Sequence, residues 1–215
     1  MKKLNTILLT GILFVTVTTQ AQVKQGAIML GGDFGISSEK RDNNSAFSSK
    51  QTGFSITPVF GYAVKDNLVI GGDLYYSEGK YDGTPPAYDN KNSYRGAGFF
   101  VRHYRALGHS GFSLFVQGRI GYQHYRFTQT GTTLVDDLKR NELRTTVNPG
   151  LTYTINKRWQ FETGLSNLLV LSAYSQKQTI SAGSPSNYTA KGMNLIGSIN
   201  PATNLYVGLR FLLNK

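Results

Sequence analysis

Eight stretches of this chain alternate large apolar residues with small or polar ones at a period of two. Successive side chains of an extended strand point to opposite faces, so the pattern predicts strands and excludes helices there. The stretches run over 28–36, 54–62, 68–77, 97–104, 112–123, 144–155, 159–171 and 205–213. The fifth is the cleanest: Phe112, Leu114, Val116, Ile120 and Tyr122 share one face, while Ser113, Gln117, Arg119, Gly121 and Gln123 share the other. Short turns are expected at Lys65-Asp66-Asn67, Gly108-His109-Ser110 and Asn156-Lys157-Arg158, and longer polar links near 38–52, 78–93, 128–141 and 175–192.

Which face points inward is a question of charge and bulk. The polar face carries Asp33, Asp73, Glu142 and Glu162 together with Arg102, Arg119, Arg144 and Arg210, so four acids stand against four bases. A soluble sandwich would turn its apolar face inward and leave this face wet. A small membrane barrel inverts the arrangement, with the apolar face on lipid and the small and charged residues filling the interior. The apolar face is bulky on all eight segments, aromatics stand near strand ends (Tyr62, Phe112, Tyr153, Trp159, Phe211), and the opposite face is rich in the chain's 24 glycines. These features favour the membrane reading: an all-β, eight-stranded, antiparallel up-and-down barrel with short turns at one end and long loops at the other.

The first 21 residues read as an export signal. Lys2 and Lys3 precede the apolar run Ile7–Val17, and Thr19-Gln20-Ala21 forms a small-x-small cleavage site. The run is too short for the ~20 residues of a spanning helix. The expected division is a cleaved signal at 1–21 and a barrel domain at 22–215. The chain has no cysteine, which removes disulfides, thiol nucleophiles and Cys-ligated metals.

The stretches Phe99-Phe100-Val101-Arg102-His103-Tyr104, Phe112 to Tyr122 and Leu205-Tyr206-Val207-Gly208-Leu209-Arg210-Phe211 resemble the small eight-stranded outer-membrane β-barrel proteins of Gram-negative bacteria, the OmpA/OmpX-like superfamily. The resemblance implies an outer-membrane location, and a C-terminal signal for the barrel-assembly machinery with Gly208 and Phe211 at the matching positions. One departure is that Leu212-Leu213-Asn214-Lys215 follows the aromatic residue on which the family often stops.

Candidate chemistry is sparse. The inward charges could form a selectivity ring, but eight strands enclose room for little beyond side chains. Buried charges must also be paired, so an interior plug is the expectation. His103 and His124 lie on neighbouring strands and, with the turn at 108–110, about nine residues (~30 Å) apart, too far to share a site. Ser166-Asn167 lacks the histidine two residues earlier that a lipid deacylase would carry, and Asp136-Asp137 reads as a solvated pair. Gly31-Gly32 and Gly71-Gly72 precede no helix, so they mark close packing rather than phosphate loops.

The net charge of +11 gathers in the long links, at Lys40, Arg41, Lys50, Lys80, Lys91, Arg95, Arg126, Lys139, Arg140, Lys177 and Lys191. Nucleic acid suits an exported barrel poorly; outer-leaflet glycolipid phosphates suit these cations better. The sequence therefore predicts a monomeric barrel without catalysis, cofactor or metal, in a structural, surface-interaction or porin-like role. A narrow ion or small-solute channel is the alternative, with a lipid-modifying enzyme behind it.

Overall fold

A computed structural model of the chain describes residues 23–43, 47–84, 88–108, 110–131, 135–156, 158–181, 186–197 and 205–213. The expected signal peptide and His109 lie outside the described residues. The strands are β1 (Ile28–Asn43), β2 (Phe47–Lys65), β3 (Leu68–Thr84), β4 (Tyr88–Ala106), β5 (Phe112–Gly131), β6 (Val135–Ile155), β7 (Trp159–Leu165), β8 (Leu169–Ser181), β9 (Ser186–Gly197) and β10 (Leu205–Leu213).

These ten strands make the eight staves of an antiparallel barrel, as the alternation predicts. β7 and β8 are two halves of one stave, both paired to β6. β9 pairs with β8, and β10 with β7 and β1. The ring closes through β5–β6 on one side and β1–β10 on the other.

The break between β7 and β8 falls at Ser166–Leu168, where Asn167 has φ +62° and its backbone N–H donates to Asn148 Oδ1 at 2.8 Å. Gly150 faces Gly164 on one side of the break and Val147 faces Leu169 on the other, so the seventh stave holds two extra residues. An even insertion preserves parity, and Phe161, Leu169 and Leu171 all still face outward.

Two sequence expectations need correction. The links at 38–52, 78–93, 128–141 and 175–192 are mostly strand, because the hairpins continue far past the apolar band. β9 lies partly within one of those links; its apolar residues Met193, Leu195 and Ile196 fall on both parities, so the alternation that marks a half-buried strand is lost there.

The outward apolar band on β1 runs from Ile28 to Ile36, nine residues. At ~3.3 Å per residue and ~40° tilt that covers roughly 23 Å, the height of the apolar band of an outer-membrane barrel. No helix among the described residues is long and apolar enough to cross a membrane; the strands do so.

The staves are joined unequally along their length. β1 pairs with β10 only from Ile28 to Gly32, and its remainder to Asn43 pairs with β2 alone. β9 pairs with β8 alone. Among the described residues the wall is therefore continuous at the short-turn end and parted between β1 and β9 at the loop end.

Candidate functional site

The interior is layered from the short-turn end upward. Its floor is closely packed: the apolar Val23, Met29, Ala63, Val69, Tyr104, Phe115 and Leu212 and the polar Ser113, Thr152 and Gln160 are each no more than 2% exposed. The segment before β1 folds across the β2–β3 turn to complete this floor. Gly26 N–H donates to Ala63 O at 2.8 Å, Asn67 N–H to Val23 O at 2.8 Å, and Gln25 N–H to Asp66 Oδ1 at 2.8 Å. Asn67, with φ +61°, also receives the Tyr104 N–H on its carbonyl at 2.8 Å, which ties two short turns together.

Above the floor sits a charge cluster built from four staves. Arg102 on β4 donates from Nη1 to Glu162 Oε2 at 2.6 Å and from Nε to Gln117 Oε1 at 2.8 Å. Its guanidinium lies 4.3 Å from the Phe115 ring centroid, so the cation rests directly on the apolar floor. Arg210 on β10 donates from Nη2 to Glu162 Oε1 at 2.6 Å and from Nη1 to Asp33 Oδ1 at 3.0 Å. Glu162 thus holds two guanidinium groups with both carboxylate oxygens, and its side chain is wholly buried.

A second pair lies nearby: Arg119 on β5 binds Asp73 on β3 in bidentate fashion, Nε to Oδ2 at 2.7 Å and Nη2 to Oδ1 at 2.6 Å. Glycines make the room. A Cβ on Gly98 or Gly121 would lie 2.5 Å from the Arg119 guanidinium, and one on Gly208 would strike Asp33 Oδ1.

The eight predicted inward charges do not form one network. Asp33, Arg102, Glu162 and Arg210 converge, and Asp73 and Arg119 pair separately. Glu142 pairs with Arg140 at 3.1 Å, a residue that the sequence reading assigned to the loop charge. Arg140 faces inward, its guanidinium 3.9 Å from the Tyr174 ring centroid. Arg144 has no hydrogen-bond or ion-pair partner among the described residues, so the predicted four acids and four bases do not pair one to one. Sequence reasoning also passed over Phe100, Tyr104 and Phe115. Their parity puts them inside, but charge alone was weighed there.

The remaining candidates separate. Gly208, of the predicted assembly signal, packs against Asp33 and Glu162, and Phe211 faces Trp159 with ring centroids 4.7 Å apart. His103 faces Val116, eight residues along β5 from His124, and His124 Nδ1 lies 2.7 Å from Asn141 Oδ1. Asp136 and Asp137 are consecutive on β6 and point to opposite faces. Asp136 accepts from Gln178 Nε2 at 2.7 Å, while Asp137 meets Arg126 at 3.0 Å and Lys139 at 3.4 Å. Partial desolvation alone would raise the Asp137 carboxyl, but these two cations hold it below its ordinary value.

Between the charge clusters and the loop end lies a cavity of about 610 Å³ whose lining includes Asp33, Asp73, Arg119, Gln123, Arg144, Asn148, Ser166 and Tyr206. It is partly open. The interior is a cup, packed below by buried side chains and ion pairs.

Residues 7–166, more than half of the chain, match the sequence profile described as "Outer membrane protein beta-barrel domain". No curated protein sequence matches the chain. Among solved structures, the outer membrane protein OprG from Pseudomonas aeruginosa superposes with a TM-score of 0.52 at 12% identity, over 91% of this chain and 100% of its own. The β domain of the Bordetella autotransporter BrkA covers 87% of this chain and 97% of its own at 10% identity, with a TM-score of 0.24. The likeness to OprG is one of fold.

Proposed function

The chain belongs to the outer membrane protein β-barrel domain family, and from that membership we propose that it is a non-catalytic barrel of structural and surface-interaction role, with no axial pore. The observation that carries this reading is the sealed floor. Met29, Tyr104, Phe115 and Leu212, together with the equally buried polar side chains Ser113, Thr152 and Gln160, fill the section beneath the Arg102–Glu162–Arg210 cluster, and an ion would have to shed its water to pass. The short-turn end faces the periplasm and the long hairpins face outward. The barrel works as a monomer, and its Leu205–Phe211 segment is the part offered to the assembly machinery.

The surface partner is the outer-leaflet glycolipid. Lys40 lies four residues past Ile36, Lys80 four past Tyr76, Lys50 four before Phe54 and Lys139 four before Leu143, all exposed and all on the outward parity. They form a belt just above the apolar band, where headgroup phosphates lie. Register sets Lys40 opposite Lys50, Lys80 opposite Lys91 and Lys139 opposite Lys177. Like charges directly opposite are destabilising, and a bridging phosphate relieves them. Asp82 meets Lys80 at 2.8 Å and Asp137 meets Lys139, which offsets part of this charge.

Two measurements test the reading. Purified protein refolded in a planar bilayer, taken from the fraction whose gel mobility shifts on boiling, is expected to give no reproducible conductance steps. Steps would support the narrow channel instead, with Arg102 and Arg119 setting its selectivity. In vesicles containing a phosphorylated glycolipid the unfolding midpoint is expected to rise relative to neutral lipid, by about 1 kcal/mol per seated basic residue. Combined replacement of Lys40, Lys50, Lys80 and Lys91 by glutamine should remove most of that gain; a gain that survives would mean the belt does not hold the glycolipid.

A further inference from the structure

We infer that the interior cup is a binding site for a small monoanion, a carboxylate-bearing solute held by Arg144. The inference rests on the reading of the interior as a cup, and it adds a ligand class to it.

The charge count around the cavity leaves one positive charge over. Arg102 and Arg210 share Glu162 and Asp33, Arg119 is saturated by both oxygens of Asp73, and Arg140 is matched by Glu142. Arg144 lines the cavity with no such partner among the described residues. Its position sharpens the need for an anion. Arg144 pairs across the β5–β6 ladder with Gly121, and the Arg119 guanidinium occupies the space in front of Gly121. Two guanidinium groups therefore stand on adjoining patches of wall, and the Asp73 carboxylate is fully engaged by Arg119.

A bound carboxylate would accept two parallel N–H bonds from the planar Arg144 fork. It would also relieve the repulsion from Arg119. A single negative charge balances the groups around the cavity, whereas a dianion would leave them one charge negative.

The rest of the lining suits a polar solute. Gln123, Asn148, Thr146 and Ser166 bring amide and hydroxyl groups around the same cavity. A volume of about 610 Å³ lies within the roughly 300–1,000 Å³ of small-ligand sites. The basic residues in or beside the loop hairpins, Arg140 apart, would raise the local concentration of anions at the mouth.

The test uses the full refolded barrel in lipid nanodiscs with 15N-labelled arginine. Sodium acetate is titrated against sodium chloride at constant ionic strength while the guanidinium Nε–H resonances are followed. One resonance is expected to shift saturably, and to be missing from Arg144→Gln, which leaves no other resonance moving. A linear shift, a response shared with chloride, or an unchanged response in Arg144→Gln overturns the inference. Inorganic phosphate at pH 7 saturating the same resonance more tightly than acetate overturns the assignment to a single charge.

Stability supplies a readout that needs no ligand. Arg144→Gln should unfold in urea at a midpoint no lower than the parent, since it removes an unmatched cation; a clearly lower midpoint would make Arg144 a structural partner and overturn the proposal. Binding is read here and not conduction. A conducting barrel that still binds acetate and a silent one that does not are thereby told apart.

Discussion

Glu162→Ala is expected to destabilise the barrel by about 3–5 kcal/mol, the cost of breaking a buried ion pair from one side. Glu162 is the only carboxylate that Arg102 touches among the described residues, and it is shared with Arg210; both arginine side chains are 2% exposed. Without it, Arg102 retains Gln117 and the Phe115, Phe100 and Tyr104 rings, which are weak substitutes for a full charge. Arg210 retains Asp33, whose side chain is 29% exposed. Two guanidinium groups would then face each other across an alanine with one half-exposed acid between them. The urea midpoint in vesicles, followed by gel mobility and by Trp159 fluorescence, measures the loss. A midpoint within about 1 kcal/mol of the parent would mean that water reaches the cluster and that the floor does not seal the interior. Glu162→Gln, which keeps the shape and one acceptor, should fall between the two.

Gly71→Val is expected to prevent folding, or to cost about 3 kcal/mol or more, at the severe end of overpacking. Gly71 sits on the inward face of β3, and a Cβ there would strike the Phe60 carbonyl oxygen and the Phe100 ring and stand 2.8 Å from Gly61 Cα. Two of those three neighbours are backbone, held in the β2–β3 ladder by the Gly61–Gly71 and Phe60–Gly72 pairings, so neither can yield. The Phe100 ring is pinned as well, 3% exposed in the packed interior. Gly118→Val is the matched control: it lies on the outward face of β5, and nothing stands within 4 Å of its Cβ position. The fraction of heat-modifiable protein after refolding should collapse for the first variant and stay near the parent value for the second. Equal yields would show that the barrel wall can bow at β3 to accept a side chain.

The strands were legible because the membrane imposes the period-two signal on the chain. Each outward residue of the band must be apolar, and each inward residue must be small or satisfied, so parity is written into nearly every position from Ile28 to Ile36 and from Phe112 to Tyr122. Beyond the band both faces meet water and the constraint lapses. That is why the extensions to Asn43, Thr84 and Gly131, and most of β9, read as polar links although they are strand. The inward charges were legible as a set for the same reason. An arginine at position 102 or 210 on the polar parity of a greasy strand can face only the interior.

Which charges meet was not legible, because pairing depends on register between staves that are distant in sequence. Arg210 reaches Asp33 across 177 residues, from the eighth stave to the first, and Arg102 reaches Glu162 across 60, from the fourth stave to the seventh. The apolar floor was likewise hidden, since Val23 precedes the first strand and enters the interior only when the chain folds over Asp66-Asn67.

By itself, then, the sequence determined the strand class, the outward apolar face and the parity of the charges within the apolar band, all of them properties of residues one or two positions apart. The tertiary structure alone decided that the lower interior is closely packed, that Glu162 is its hub, that Arg140 rather than Arg144 takes Glu142, and that Arg144 stands unmatched in the cup among the described residues. The physical reason is that barrel closure and stagger set which inward side chains share a level, and no local pattern in the chain records that height.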